Sequence, residues 1–283
     1  MEPYRQTLRK VDEGNQVIVV ASNYTWHLLD TWKNKPQGQV WRVNEPGGKV
    51  GFFKFAFKEQ WYDAGPIVGN EWIAATLAKR TGFETAELDV VSIPYGNTLL
   101  SGIVSIQKDI SPIVSWRTLD KSVTERPYEF LNDADNLFGV IAFDTWITNL
   151  DRGSGKNILF YRPKGQQRFQ FYLIDHGYAL YGCERKWALH SPLDAYWHQI
   201  WDFYHIPKGW QAFATKRVLK QATEAIHSLD EHVIRHIVDD VPDSLYTKAM
   251  QKDTIAMLLY RQKHLTHMLN EWLHYRGVKE CLI

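Results

Sequence analysis

TNLDRGSGKNILF, residues 148–160, and FYLIDHGYALYG, residues 171–182, are the stretches whose reading decides the fold. Each carries an apolar run, NILFY in the first with Tyr161 added and FQFYLID in the second with Phe169 and Gln170 added, and the polar segment RPKGQQR joins them. Two short apolar runs around a polar connection spell a hairpin. Asp151 and Asn157 then lie on the loop that enters its first strand, and Asp175 ends its second, with Gly177 just beyond. Paired strands run side by side, so these three side chains converge at one end.

Two carboxylates and an amide at one point make an oxygen-rich site. Magnesium, a hard cation, takes such ligands and completes its shell with water and substrate phosphates. In that chemistry one aspartate accepts the proton of an attacking hydroxyl, while the other and the asparagine hold the metal that neutralises a transferred phosphoryl group. A lysine must come from elsewhere. Lys54 stands out as a charge inside the apolar run FFKFAF, residues 52–57, and Glu71 on the helix expected next would offset the cost of burying it. Taken singly, Asp151 also suits a turn, Lys54 an edge strand protected from aggregation, and Glu71 a solvated helix face. Asp144 and Asn149 repeat the Asp/Asn pairing but fall within or at the end of an apolar helix, so Asp144 reads as a buried group bracing the loop. His176 reads as structural, and His264 with His267 as a solvated helix face.

Upstream, short apolar runs alternate with turn residues: QVIVVAS, QVWRVNE and KVGFFKFAF, the last two around Pro46-Gly47-Gly48 as a hairpin. A helix is expected from about Gly69 to Arg80, stopping before Gly82, then strands at ELDVVSI and TLLSGIVSI around a Pro94-Tyr95-Gly96-Asn97 turn. From Gln107 to Tyr128 no periodicity places an element. LFGVIAFDTWI, capped by Asp133 or Asp135, is apolar nearly all round and predicts a buried helix ending near Asn149. From about Pro192 to Tyr275 apolar residues recur at three and four, the helical spacing. The expected fold class is α+β and bilobal: a strand-rich N-terminal lobe over residues 1–106 and a mainly helical C-terminal lobe over 107–283.

Composition supports an ordinary globular chain: 283 residues, 45% hydrophobic and 23% charged, long enough for two lobes around a cleft. Lys and Arg number 33 against 32 Asp and Glu, so no net field draws the chain to nucleic acid or an anionic membrane. The polar N-terminus and the lack of any run near the ~18 apolar residues of a membrane span point away from secretion and insertion. Cys183 and Cys281 are isolated thiols, which suits the reducing cytoplasm. The 12 tryptophans are expected mostly in packing.

Asn149-Leu150-Asp151-Arg152-Gly153 and Leu173-Ile174-Asp175-His176-Gly177, in this order and spacing, resemble the HipA-like kinases, and more loosely the phosphoinositide 3/4-kinase group. The resemblance runs from about residue 10 to 205 and implies a kinase-like fold, ATP and Mg2+ as cofactors, and a hydroxyl acceptor, first of all a protein serine or threonine and second a lipid or small molecule. It implies Asp151 as base, Asn157 and Asp175 as metal ligands, and Lys54 and Glu71 as the pair that orients the nucleotide. Ser22 and Asn23, in place of a glycine-rich loop, and Ser105 complete the expected nucleotide contacts. Asn157 follows Asp151 by six residues where kinases usually have five, and Gly153 and Gly155 could absorb the extra residue as a bulge. Two rivals stand beside this reading: a catalytically silent kinase-fold module that binds a partner, and a metal-dependent hydrolase using Asp151, Asp175 and His176.

Overall fold

The computed structural model describes residues 25–31, 39–57, 60, 65–180 and 206–275. Its first sheet holds β1 (His27–Thr31), β2 (Gln39–Asn44), β3 (Val50–Phe55), β4 (Glu87–Tyr95) and β5 (Thr98–Ile106), antiparallel in the order β1-β2-β3-β5-β4. The expected β2–β3 hairpin forms around the Pro46-Gly47-Gly48 turn, and β4 and β5 pair from Glu87 opposite Ile106 to Tyr95 opposite Thr98. QVIVVAS lies outside the described residues. Helix α1 (Ile67–Arg80) connects β3 to β4.

Strand alternation divides this sheet into two unlike faces. Phe53 and Phe55 of β3 join Trp26, Trp41, Val91, Ile93, Val104 and Ile106 in an aromatic-rich cluster. On the other face Leu88, Val90 and Ile103 pack against Ile67, Val68 and Ala75 of α1. Lys54, one residue from Phe53, therefore points towards α1. Its strand approaches β5 closely, and a Cβ on Gly102 would come within 2.4 Å of the Lys54 carbonyl oxygen.

The second sheet pairs β6 (Ile113–Ser115), β7 (Ile158–Tyr161) and β8 (Gln170–Leu173). The β7–β8 hairpin is the one read from NILFY and FQFYLID. β6 lies in the stretch where no element could be placed, because three residues are too few to show a period. Behind this sheet come α2 (Lys121–Glu125), α3 (Pro127–Phe130) and α4 (Ala134–Trp146), then α5 (Lys216–His227), α6 (Glu231–Asp239) and α7 (Lys248–Tyr275). Asp133 caps α4, its carboxylate accepting from the Asn136 amide at 3.0 Å. Leu137, Phe138, Val140, Ile141, Phe143 and Trp146 of α4 are sealed in the main core, as an all-round apolar helix requires.

The two sheets are joined at the start of β4. The Leu173 amide donates to the Glu84 carbonyl at 2.8 Å, and the Ala86 amide donates to the Leu173 carbonyl at 3.2 Å. Beyond β5, Lys108 bonds Glu84 and lies over the Tyr161 and Tyr172 rings, 5.2 Å from each centroid. The lysine strand and the end of β8 are thereby held in fixed relation.

Gly102→Ala tests the close approach that sets Lys54. Overpacking against a backbone oxygen is expected to cost about 1–3 kcal/mol, read as a lower urea midpoint; an unchanged midpoint would mean that β3 and β5 are free to part.

Candidate active site

The end of α4 starts the site. Its Asp144 is fully buried among apolar residues and is met by Arg152, also fully buried, whose Nε donates to Oδ2 at 2.9 Å and whose Nη2 donates to Oδ1 at 3.1 Å. Asn149 Nδ2 donates to the same Oδ1 at 2.8 Å. Arg152 Nη1 donates to the carbonyls of Asn157, at 2.7 Å, and Ile174, at 3.2 Å. A carboxylate in so apolar a helix demands a counter-charge. Asp144 does brace the loop, and the brace is Arg152, to which sequence reasoning had given no role.

Three residues without glycine's freedom take left-handed backbone here: Thr148 (φ 56°), Asp175 (φ 61°) and Leu180 (φ 52°). Each costs of order 1–3 kcal/mol unless the surroundings hold it. The Leu180 amide donates to the Ile147 carbonyl at 2.7 Å, and Thr148 Oγ1 donates to the Leu180 carbonyl at 3.2 Å, which ties the end of α4 to the segment after Asp175. Gly155 (φ 68°) closes a turn by donating to the Arg152 carbonyl at 2.9 Å, and a Cβ there would sit 2.9 Å from Trp116 Cδ1. That turn accommodates the six-residue spacing, and Asn157 still reaches Asp151: its Nδ2 donates to the Asp151 carbonyl at 2.9 Å and to Oδ2 at 3.1 Å. Lys156, which the motif reading passed over, places Nζ 3.4 Å from the same Oδ2.

On the opposite side Lys54 meets two carboxylates. Nζ donates to Glu71 Oε2 at 3.0 Å and to Asp175 Oδ1 at 3.1 Å. Glu71 is 1% exposed and accepts the His176 amide at 2.9 Å, whereas the Asp175 side chain is 36% exposed. Burial penalises the Lys54 ammonium, but Asp175 and Glu71 override it and hold the amine well above the ordinary lysine range. Burial likewise penalises the Glu71 carboxylate; Lys54 and His176 override it and hold the carboxyl well below its usual range. Neither Lys54 as an edge-strand gatekeeper nor Glu71 as a surface glutamate survives this geometry. His176 is buried beneath the cluster, its ring edge-on to Phe143 and its Nδ1 3.5 Å from Glu71 Oε1.

The hairpin links the two halves. The Ile174 amide donates to the Asn157 carbonyl at 3.2 Å, so Asp175 leaves β8 beside the residue that enters β7. With Asn157 Nδ2 spent on Asp151, its Oδ1 accepts no hydrogen bond among the described residues; with Asp175 Oδ1 on Lys54, Oδ2 is its counterpart. Two hard oxygens suit a magnesium ion that draws its other ligands from phosphates and water. No group of three or more His, Cys, Asp or Glu that could hold a metal occurs among the described residues. Ser105 is buried on β5, two residues from Ile103, the cross-strand partner of Lys54, and so shares the Lys54 face. Ser22 and Asn23 lie outside the described residues.

Comparison with known proteins bears on the fold. The family model described as HipA-like kinase matches residues 65–190, which include Glu71, Asp151, Asn157 and Asp175. A search of curated proteins finds no match. Among solved structures, the proinflammatory kinase CtkA of Helicobacter pylori superposes with a TM-score of 0.55 at 16% identity, over 92% of this chain and 98% of that one. HipA of Shewanella oneidensis, solved with HipB and operator DNA, gives a TM-score of 0.44 at 13% identity, over 96% of this chain and 69% of that one. The chain therefore has a kinase-like fold of mixed strands and helices, and its resemblance to the HipA-like kinases holds.

Two measurements probe the buried charges. Asp144→Ala leaves Arg152 sealed without its partner, an expected loss of about 3–5 kcal/mol in urea unfolding; a loss below about 1 kcal/mol would mean that water reaches the guanidinium. Glu71 titrates lower in the fold than its ordinary 4.5, so its stabilisation is complete above that pH and is lost as pH falls towards the folded value. The stability gap between wild type and Glu71→Gln should accordingly narrow below about pH 4.5; a gap that is constant under acidification contradicts the assignment.

Proposed function

We propose that this protein is an ATP- and Mg2+-dependent kinase that transfers the γ-phosphoryl group to a hydroxyl, in the first place that of a protein serine or threonine. The observation that supports it most is the Lys54 ammonium held between Glu71 and Asp175, at 3.0 and 3.1 Å. Lys54 meets the nucleotide phosphates, Glu71 keeps it aimed, and Ser105 together with Ser22 and Asn23 adds nucleotide contacts. The cleft lies between an N-terminal lobe of residues 1–106 and a C-terminal lobe of 107–283. Among the described residues no helix is long and apolar enough to cross a membrane, and we assign the reaction to the cytoplasm.

In the reaction the acceptor oxygen bonds to the γ-phosphorus as the bond to the β–γ bridging oxygen breaks, and ADP leaves. Asp151 takes the acceptor's proton. Asn157 orients Asp151 through the bond to its Oδ2. Asn157 and Asp175 would hold a magnesium ion, which would supply charge to neutralise the phosphates. Arg152 touches none of the reacting atoms; it keeps the loop and both strand ends in place.

Titration with ATP and magnesium, read by thermal stabilisation and by transfer from γ-labelled ATP, tests the reading. Wild type should be stabilised and should transfer label to itself or to a protein acceptor. Asp151→Ala should lower transfer about 10²–10⁴-fold while still binding nucleotide, as expected for loss of a general base, and Asp175→Ala should lose the magnesium-dependent part of binding. Binding without any transfer would favour the silent module; phosphate-ester cleavage without ATP would favour the hydrolase.

A further inference from the structure

The C-terminal helices carry no recognisable motif, yet they reach the lysine pair from behind. Gly69, Asn70 and Glu71 are consecutive on α1, so their positions are turned about 100° from one another around the helix and face three different neighbours. Glu71 faces Lys54, at 3.0 Å. Asn70 Nδ2 donates to the Gly177 carbonyl at 2.9 Å, just past Asp175. Gly69 faces Tyr246, and a Cβ added there would lie 2.3 Å from the ring's Cδ2 and 2.9 Å from Cγ.

Tyr246 is not a side chain that can yield. It is fully buried, its hydroxyl is 2.6 Å from Thr254 Oγ1 on α7, and its amide donates to the Pro242 carbonyl at 3.0 Å. α7 is anchored in turn to the other half of the site. Trp146 Nε1 donates to the Leu258 carbonyl at 2.9 Å, and buried Arg261 donates through Nε to the Trp146 carbonyl at 3.0 Å, at the end of α4.

We infer that Tyr246 is a positioning residue: by resting on Gly69 it holds α1 at the depth where Glu71 reaches Lys54, and α7 thereby ties that pair to the Asp151 loop. The inference rests on the kinase reading for its consequence in nucleotide binding, but the contact itself has a separate readout. Glycine is required at position 69 because the ring occupies the space of a β-carbon. Ordinarily alanine is the better residue inside a helix, so harm from Gly69→Ala is diagnostic of the contact.

Gly69→Ala, Tyr246→Ala and the double variant, each in the full chain, test this by ADP affinity with magnesium and by exchange of the His176 amide, which reports whether Glu71 is seated. Gly69→Ala is expected to weaken ADP about tenfold or more, as overpacking displaces α1, and to speed that exchange. In the Tyr246→Ala background the same alanine should change either quantity by less than about twofold. An equal effect in both backgrounds, or a folded Gly69→Ala that matches wild type, overturns the inference. If Gly69→Ala does not fold, Tyr246→Leu carries the test: it removes the ring without crowding and should weaken ADP and speed exchange, and wild-type behaviour would overturn the proposal. Should wild type bind no ADP, the kinase reading fails, and the exchange data alone decide the positioning.

Discussion

A guanidinium sealed from water cannot be left unpaired, and Arg152 satisfies its charge by gathering pieces of four elements. Both oxygens of Asp144 come from α4, the Asn157 carbonyl from the entry to β7, and the Ile174 carbonyl from the exit of β8, while Arg152 itself lies on the loop that carries Asp151. The separation between these elements is therefore set by the size of one planar side chain. Such a pair adds little stability over a well-packed apolar substitute, but it is costly to break. Here its contribution is to register: the loop, the hairpin and the helix have one arrangement in which both Asp144 oxygens and all three Arg152 guanidinium nitrogens are bonded.

That brace makes the strained backbone affordable. Thr148, Asp175 and Leu180 hold left-handed conformations that L-residues avoid, and all three flank elements gathered by Arg152 or tied to them through the Leu180–Ile147 hydrogen bond. From this left-handed position the Asp175 carboxylate accepts from Lys54. Two carboxylates then share one ammonium, and they differ in exposure. Glu71 is buried and spent on holding the lysine, whereas the Asp175 side chain is more than a third exposed. Division of labour between the two acids thus follows from burial alone.

The kinase-like fold places Lys54 on the first sheet, Glu71 on the helix packed against it, and the aspartates on loops flanking the strands of the second sheet, so the site depends on how firmly the two sheets are joined. Leu173 exchanges backbone hydrogen bonds with Glu84 and Ala86, Lys108 bridges the rear, and Asn70 holds Gly177. α7 supports both halves at once. The helices that looked featureless in sequence are the common support on which α1 and α4 are mounted.

Much of this was legible in the residues. The β7–β8 hairpin, the buried α4 with its Asp133 cap, and the loop joining Asp151 to Asn157 follow from local period and turn chemistry. Asp144 betrayed itself as the one acid in the apolar stretch LFGVIAFDTWI, although its partner did not, since arginine in a turn-like segment is usually solvated. β6 was too short to show a pattern, and Lys156 and Asn70 had no motif to mark them. Lys54 and Asp175 lie 121 residues apart, and Gly69 meets Tyr246 across more than half of the chain. The sequence by itself determined which chemical groups are present and which face of each element is apolar, because those are set by side-chain type and the periods of helix and strand. Only the tertiary structure decided which faces meet, because burial of Lys54, Glu71, Asp144 and Arg152 is tolerated solely where packing brings each charge to its partner.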